Sequence, residues 1–95
     1  MSKKITVEKF ESFILECVNE MKTGEKLIFT KKEMPLAKDH TITLTKVDDD
    51  RYTVIERGIE DLEFSNIDFN EVIKELMKLK EKEFGDCEHF YAHKA

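Results

Sequence analysis

The residues best suited to metal or thiol chemistry lie close together near the end of the chain. Cys87, His89 and His93 form a Cys-x-His-x3-His cluster, and thiolate with imidazole is a ligand set that Zn²⁺ accepts. The same atoms offer a thiolate nucleophile and a base. A structural zinc site usually draws ligand pairs from separate segments, however, and the only other Cys and His residues are Cys17 and His40. The sequence therefore predicts no catalytic residues, no metal and no cofactor. Metal- or thiol-dependent activity at this cluster is kept as an alternative.

The acidic residues are concentrated in one quarter of the chain. Residues 48–71 contain two Arg and nine acids, a net charge of −7, whereas residues 1–47 have a net charge of +2 and residues 72–95 have none. The formal charge of the whole chain, −5, is therefore a local property. A surface of this sign steers basic proteins and repels nucleic acid.

Part of this acidic segment has a predictable structural role. Asp48, Asp49 and Asp50 are typical of a turn, and Asp68 and Glu71 fit the start of a helix. Four acids have no such role, and they are the candidate partner-binding residues: Glu56, Glu60, Asp61 and Glu63.

Length and composition predict one domain over residues 1–95, with residues 1–5 and 86–95 as candidate frayed tails. Two Cys residues seventy positions apart argue against a disulfide framework. No apolar run approaches the ~20 residues that cross a bilayer, and the N-terminus lacks the apolar stretch of a secretory signal. We therefore expect a cytoplasmic protein that contacts no membrane.

Two segments place apolar residues at spacings of three and four, which predicts two amphipathic helices. The first spans about 7–22, with Thr6 as its N-cap. The second spans about 69–83 and begins with an acidic capping box in which Asp68 is the N-cap. The longest loop, 31–40, contains the only Pro.

Alternating apolar and polar residues predict the strands. In the return strand of the central hairpin, Tyr52 and Val54 are expected to face the core. The segment 61–65 fits either a short strand or an ordered loop, and the last ten residues fit either a tail or an added strand. The three principal predicted strands are 26–30, 41–47 and 51–57.

The resulting order, α-β-β-β-(β)-α, predicts an α+β two-layer domain. A three- or four-stranded antiparallel meander would be covered on one face by both helices. Such a frame hosts many functions. We expect a small non-enzymatic protein that binds another protein, as an accessory, regulatory or inhibitory factor of bacterial or phage type. The alternatives are an acidic inhibitor or immunity-type protein that presents residues 48–71 to a basic nucleic-acid-binding partner, and a homodimer through the open sheet face.

Overall fold

The computed structural model describes residues 2–33 and 40–94, and within them it shows an α+β fold of six strands and two helices. A single 3₁₀ turn, Val7–Lys9, connects the first strand to the first helix. In chain order the elements are β1 (Ser2–Thr6), α1 (Phe10–Glu20), β2 (Lys26–Thr30), β3 (Thr41–Asp48), β4 (Arg51–Arg57), β5 (Asp61–Ile67), α2 (Phe69–Phe84) and β6 (His89–Lys94).

The strands form one antiparallel sheet in the order β1-β6-β2-β3-β4-β5. The prediction of an α+β domain is confirmed, but the predicted number of three or four strands is wrong. Residues 1–5 and 86–95 were interpreted as candidate tails, the latter alternatively as an added strand. Residues 2–5 lie in β1 and residues 89–94 form β6, and the two strands pair with each other. Strand β6 also pairs with β2, so it lies inside the sheet.

Both helices contribute to a single buried cluster on one face of this sheet. Strand β4 follows the predicted alternation, because Tyr52 and Val54 are buried on the helix side while Thr53 and Ile55 are only partly covered. The Thr residues of β3 alternate with the buried Ile42 and Leu44, which places these hydroxyls on the face that the helices leave open.

The start of α2 follows a local sequence signal, whereas Thr6, the predicted N-cap of the first helix, precedes the 3₁₀ turn and makes no side-chain capping hydrogen bond. The side chain of Asp68 accepts a hydrogen bond from the backbone N–H of Glu71, at 2.9 Å, so the predicted N-cap of α2 is confirmed. Helix α1 is shorter than its predicted span of 7–22, because its first turn is 3₁₀ and Met21 is already extended. Gly24, with φ of +94°, then turns the chain toward β2, a conformation that suits glycine.

Phenylalanine rings fill the centre of the core, and Phe90 of β6 contacts four of them. Its ring centroid lies 5.0 Å from that of Phe10, 5.8 Å from that of Phe29 and 6.0 Å from that of Phe84. The fourth ring, that of Phe13, lies at 6.4 Å. Edge-to-face and stacked rings at these distances stabilise a core beyond the apolar area that they bury. The last strand is therefore held by α1, α2 and β2 together.

We predict that Phe90→Ala lowers the free energy of unfolding by about 3–5 kcal/mol, because it removes a fully buried ring and leaves a cavity among four others. Chemical denaturation followed by circular dichroism measures the loss. Tyr91→Ala is the matched control, since Tyr91 is the next residue of β6 and lies on the open face. A loss of less than about 1 kcal/mol for Phe90→Ala would contradict the placement of β6 in the core.

Candidate partner-binding surface

Strand β5 is an outermost strand of the sheet and presents two acidic residues. Asp61 lies opposite Arg57 and Glu63 lies opposite Ile55 in the register with β4. Since Ile55 faces away from the helices, Glu63 and Asp61 also lie on the open face. Both are exposed, and within the described part of the chain neither forms an ion pair. The carboxylate of Glu63 accepts a hydrogen bond from the Ser65 hydroxyl, at 2.9 Å.

Glu60 lies in the turn that leads into β5, and its charge is partly balanced. One of its carboxylate oxygens lies 3.0 Å from the Lys82 ammonium of α2. The side chain of Glu60 is still 58% exposed, so a partner can reach it. Glu60 therefore precedes Asp61 and Glu63 at this end of the sheet edge but directs its carboxylate toward the helix side, and we call these three residues the acidic edge.

Glu56 does not belong to this surface. Its side chain is fully buried, and its carboxylate lies 3.0 Å from the same Lys82 ammonium. The reason is the two-residue period of β4, since Tyr52, Val54 and Glu56 follow one another on the helix side. The sequence interpretation of Glu56 as an acid without a structural role is corrected here, because the residue joins β4 to α2.

A second buried acid, Glu83 of α2, holds three parts of the chain together. Its carboxylate accepts hydrogen bonds from His40 Nδ1, at 2.8 Å, and from the backbone N–H of Ile59, at 3.0 Å. Its side chain has no exposed surface. A side chain at Gly58 would overlap this carboxylate, so the turn approaches closely only because Gly58 has no Cβ. Glu83 therefore fixes the turn that carries the acidic edge.

The two buried carboxyl groups have opposite pKa shifts. Burial raises the pKa of Glu56, and the neighbouring Glu83 raises it further, against the effect of Lys82. Burial also acts to raise the pKa of Glu83, but contacts with Glu56, the Ile59 N–H and His40 outweigh it and lower that pKa. Mutual repulsion disfavours negative charge on both buried carboxyl groups at once. A buried acid pair of this kind could do acid–base chemistry, but neither carboxyl has a surface that a substrate could reach.

The acids of the turn between β3 and β4 have the structural role that was predicted for them. Asp50 accepts a hydrogen bond from the backbone N–H of Phe69, at 3.0 Å, and Asp48 accepts one from Asp49, at 2.8 Å. Asp50 has a φ of +49°, which Asp tolerates better than most residues. These contacts hold the turn against the start of α2.

The side chains of Cys87, His89 and His93 do not form a compact cluster, because His89 and His93 lie at the two ends of the extended strand β6. The two imidazoles lie four residues apart on one extended strand, which separates them by ~13 Å. His93 Nε2 lies 2.8 Å from the Thr30 hydroxyl, which itself donates to the Lys32 carbonyl. Among residues 2–33 and 40–94 there is no group of three His, Cys, Asp or Glu side chains arranged to hold a metal ion.

The chemistry of Cys87 also disfavours a nucleophile. Burial raises the pKa of its thiol, an effect that Lys31 partly offsets and Asp86 reinforces. At neutral pH the residue is therefore a thiol, whereas a thiolate is the reactive form.

The structure also shows the surroundings of one lysine after β2 and of the second cysteine. Lys31 forms an ion pair with Asp86, at 3.8 Å. Cys17 is half-buried at the flank of α1.

The chain matches no family model, and no curated protein or solved structure is significantly similar to it. Within the described residues, neither helix has both the length and the apolar character needed to cross a bilayer.

We predict that Glu83→Gln lowers the free energy of unfolding at pH 7 by about 2–4 kcal/mol, because it removes a charged acceptor from two buried hydrogen bonds. Because the pKa of Glu83 is lower in the folded than in the unfolded chain, Glu83 stabilises the fold at pH values above its unfolded pKa of about 4.3. This contribution is lost as the pH falls through the pKa of Glu83 in the folded chain. Urea unfolding at pH 7 and pH 3 should show the two proteins converging at pH 3. An undiminished difference at pH 3 would contradict the assignment.

Glu56→Gln should show the opposite trend. A carboxyl group with a raised pKa stabilises the fold fully only below its unfolded pKa, and this contribution falls as the pH rises through the folded value. The stability of Glu56→Gln relative to the wild type should therefore increase from pH 4 to pH 8. Glu81→Gln, an exposed change on α2, is the control and should stay within about 0.5 kcal/mol of the wild type.

Proposed function

We propose that this chain is a non-enzymatic protein-binding domain whose acidic edge binds a basic, extended segment of another protein. The observation that carries this proposal is the combination of the exposed carboxylates of Asp61 and Glu63, which form no ion pair among the described residues, with the outer side of β5. Within the described residues β5 pairs only with β4, so its outward backbone N–H and C=O groups are available to a partner strand. Backbone pairing of this kind supplies affinity, and side chains along the strand supply specificity.

The bound segment would lie along residues 61–65. Beyond Ser65 the strand is irregular, because the register with β4 shifts and Asn66 has a φ of +57°. Five residues of free strand span ~17 Å. Lys or Arg at alternate positions of the partner would face Asp61 and Glu63 on the open face. Glu60, in the turn that Glu83 contacts, precedes this row and pairs with Lys82 on the helix side.

This geometry reduces the number of acids that an inhibitor or immunity-type protein could present to a basic partner. The carboxylates of Asp48, Asp50 and Asp68 accept hydrogen bonds from backbone N–H groups, and Glu56 is buried. A phosphate-like surface would therefore consist of the acidic edge rather than the whole of residues 48–71. The basic groove of a nucleic-acid-binding protein is the kind of partner that this charge fits.

We predict that Asp61→Lys combined with Glu63→Lys weakens binding of a basic peptide at least about tenfold, since two attractive exposed pairs become repulsive. The probe is an acetylated, amidated peptide of alternating Lys and Val, titrated into ¹⁵N-labelled protein. Amide shifts should be largest at residues 61–65 and should shrink with added salt.

The matched control is Glu8→Lys combined with Glu11→Lys, which makes the same change of charge on exposed residues near the start of α1. It should bind the peptide as the wild type does. Equal weakening by both variants would show that only net charge matters and would overturn the proposal. Sedimentation at several concentrations tests the homodimer alternative.

A further inference from the structure

A trough runs along the opposite edge of the sheet, between β1 and α1. Two cavities of about 390 Å³ and 370 Å³ adjoin there and share Lys3, Phe13 and Glu16 as lining residues. A cavity of the first size lies within the range of small-ligand sites, ~300–1,000 Å³. Strand β1 forms one wall and α1 forms the other. Among the described residues β1 pairs only with β6, so its outer backbone groups have no partner strand there, and residues 3–6 of β1 line the smaller cavity.

The trough exists because the covering side chains are either turned away or small. Helix α1 directs Phe10, Ile14 and Val18 into the core, which leaves Phe13 and Cys17 half-buried on its flank. Across the sheet from Lys3, Ala92 of β6 contributes only a methyl group. The larger cavity therefore has an apolar floor of Phe13, Cys17, Leu27 and Ala92.

Charged groups line the rim of this apolar floor. Lys3 and Lys94 lie on the sheet side, and Glu16 and Glu20 lie on the helix side. All four act electrostatically on the Cys17 thiol, whose pKa is raised chiefly by burial. The Lys3 ammonium also lies 5.6 Å from the centre of the Phe13 ring.

The smaller cavity is predominantly basic. Its lining includes Lys3, Lys4 and Lys9 against the single acid Glu16. An anionic group is therefore favoured at this end of the trough, next to the apolar floor of the larger cavity.

We propose that the trough binds an extended peptide segment of a partner protein by strand addition to β1. One large apolar side chain of the peptide enters the cavity lined by Phe13, Cys17 and Ala92. An Asp or Glu two residues away, ~7 Å along the same face of the peptide, reaches Lys3 and Lys9. This site goes beyond the proposed function, because it uses the other edge of the sheet and a ligand of opposite charge.

The ligand class is tested by selection from a phage-displayed library of random heptapeptides against the full chain. The enriched peptides should combine a Leu, Ile, Met or Phe with an Asp or Glu two positions away. Bound to ¹⁵N-labelled protein, they should shift the amides of residues 3–6 and 13–20. An absence of enriched peptides, or shifts confined to β5, would overturn the proposal.

Cys17 offers a second readout, because its thiol lies on the floor of the cavity. In a Cys87→Ser background, a saturating concentration of the selected peptide should slow alkylation of Cys17 by N-ethylmaleimide at least tenfold, since a bound side chain covers the sulfur. Replacement of the apolar residue of the peptide by Ser should remove this protection. Equal alkylation rates with and without the selected peptide would contradict the site.

Charge variants separate this site from the acidic edge. Lys3→Glu should weaken the selected acidic peptide about tenfold, whereas Lys78→Glu, an exposed change on α2, should not. The variant carrying Asp61→Lys and Glu63→Lys should bind this peptide normally. If that variant no longer binds the selected acidic peptide, a separate trough site is contradicted. If the wild type binds the selected peptide but not the basic peptide, only the proposal for the acidic edge is contradicted.

Discussion

The packing of Phe90 among four other phenylalanine rings is the interaction on which the rest of the structure depends. It draws the last strand between β1 and β2, where it pairs with both. Without β6, the first strand would have no neighbour in the sheet, and α1 would lose its contacts with the Phe90 ring. The position of β6 also sets the two edges of the sheet, since it leaves β1 at one side and β5 at the other.

The buried carboxyl groups are the second constraint, and they act between β4, α2 and the turn before β5. Burial of ionisable groups is unfavourable unless each has partners. Glu83 has His40 and the Ile59 N–H, and Glu56 has Lys82. One oxygen of Glu56 has no hydrogen-bond partner among the described residues. The pair ties β4, α2 and the turn before β5 into one unit, so the acidic edge has a fixed shape.

Periodicity in the sequence predicted the elements that are built from local patterns. Both helices and the three principal strands were located from the spacing of apolar residues, and the inward orientation of Tyr52 and Val54 was predicted correctly. The same alternation carried a signal for Glu56, which lies two residues after Val54 on the inward face. Glu83 likewise lies seven residues after Leu76 on the buried face of α2. Both acids were recognisable as inward-facing, but composition alone groups them with surface charge.

The strands at the two ends of the chain could not be predicted in the same way. They are short, and each is stabilised by a partner some ninety residues distant in sequence. A pairing of this range leaves no local spacing to detect, and Ala92 gives β6 only a weak apolar alternation. The trough beside β1 was therefore hidden as well, because it depends on where β1 and β6 meet α1. Both proposed binding surfaces lie on sheet edges that only the full strand order defines.

Residue-resolved amide hydrogen exchange tests this strand order most directly. If β6 is an interior strand, its amides should be among the most protected in the chain, while alternate amides of β1 and β5 should exchange rapidly from the free sheet edges. Exchange of residues 89–94 at the rate of an unstructured segment would contradict the fold. Uniform protection along β1 or β5 would contradict the free edges on which both binding surfaces rest.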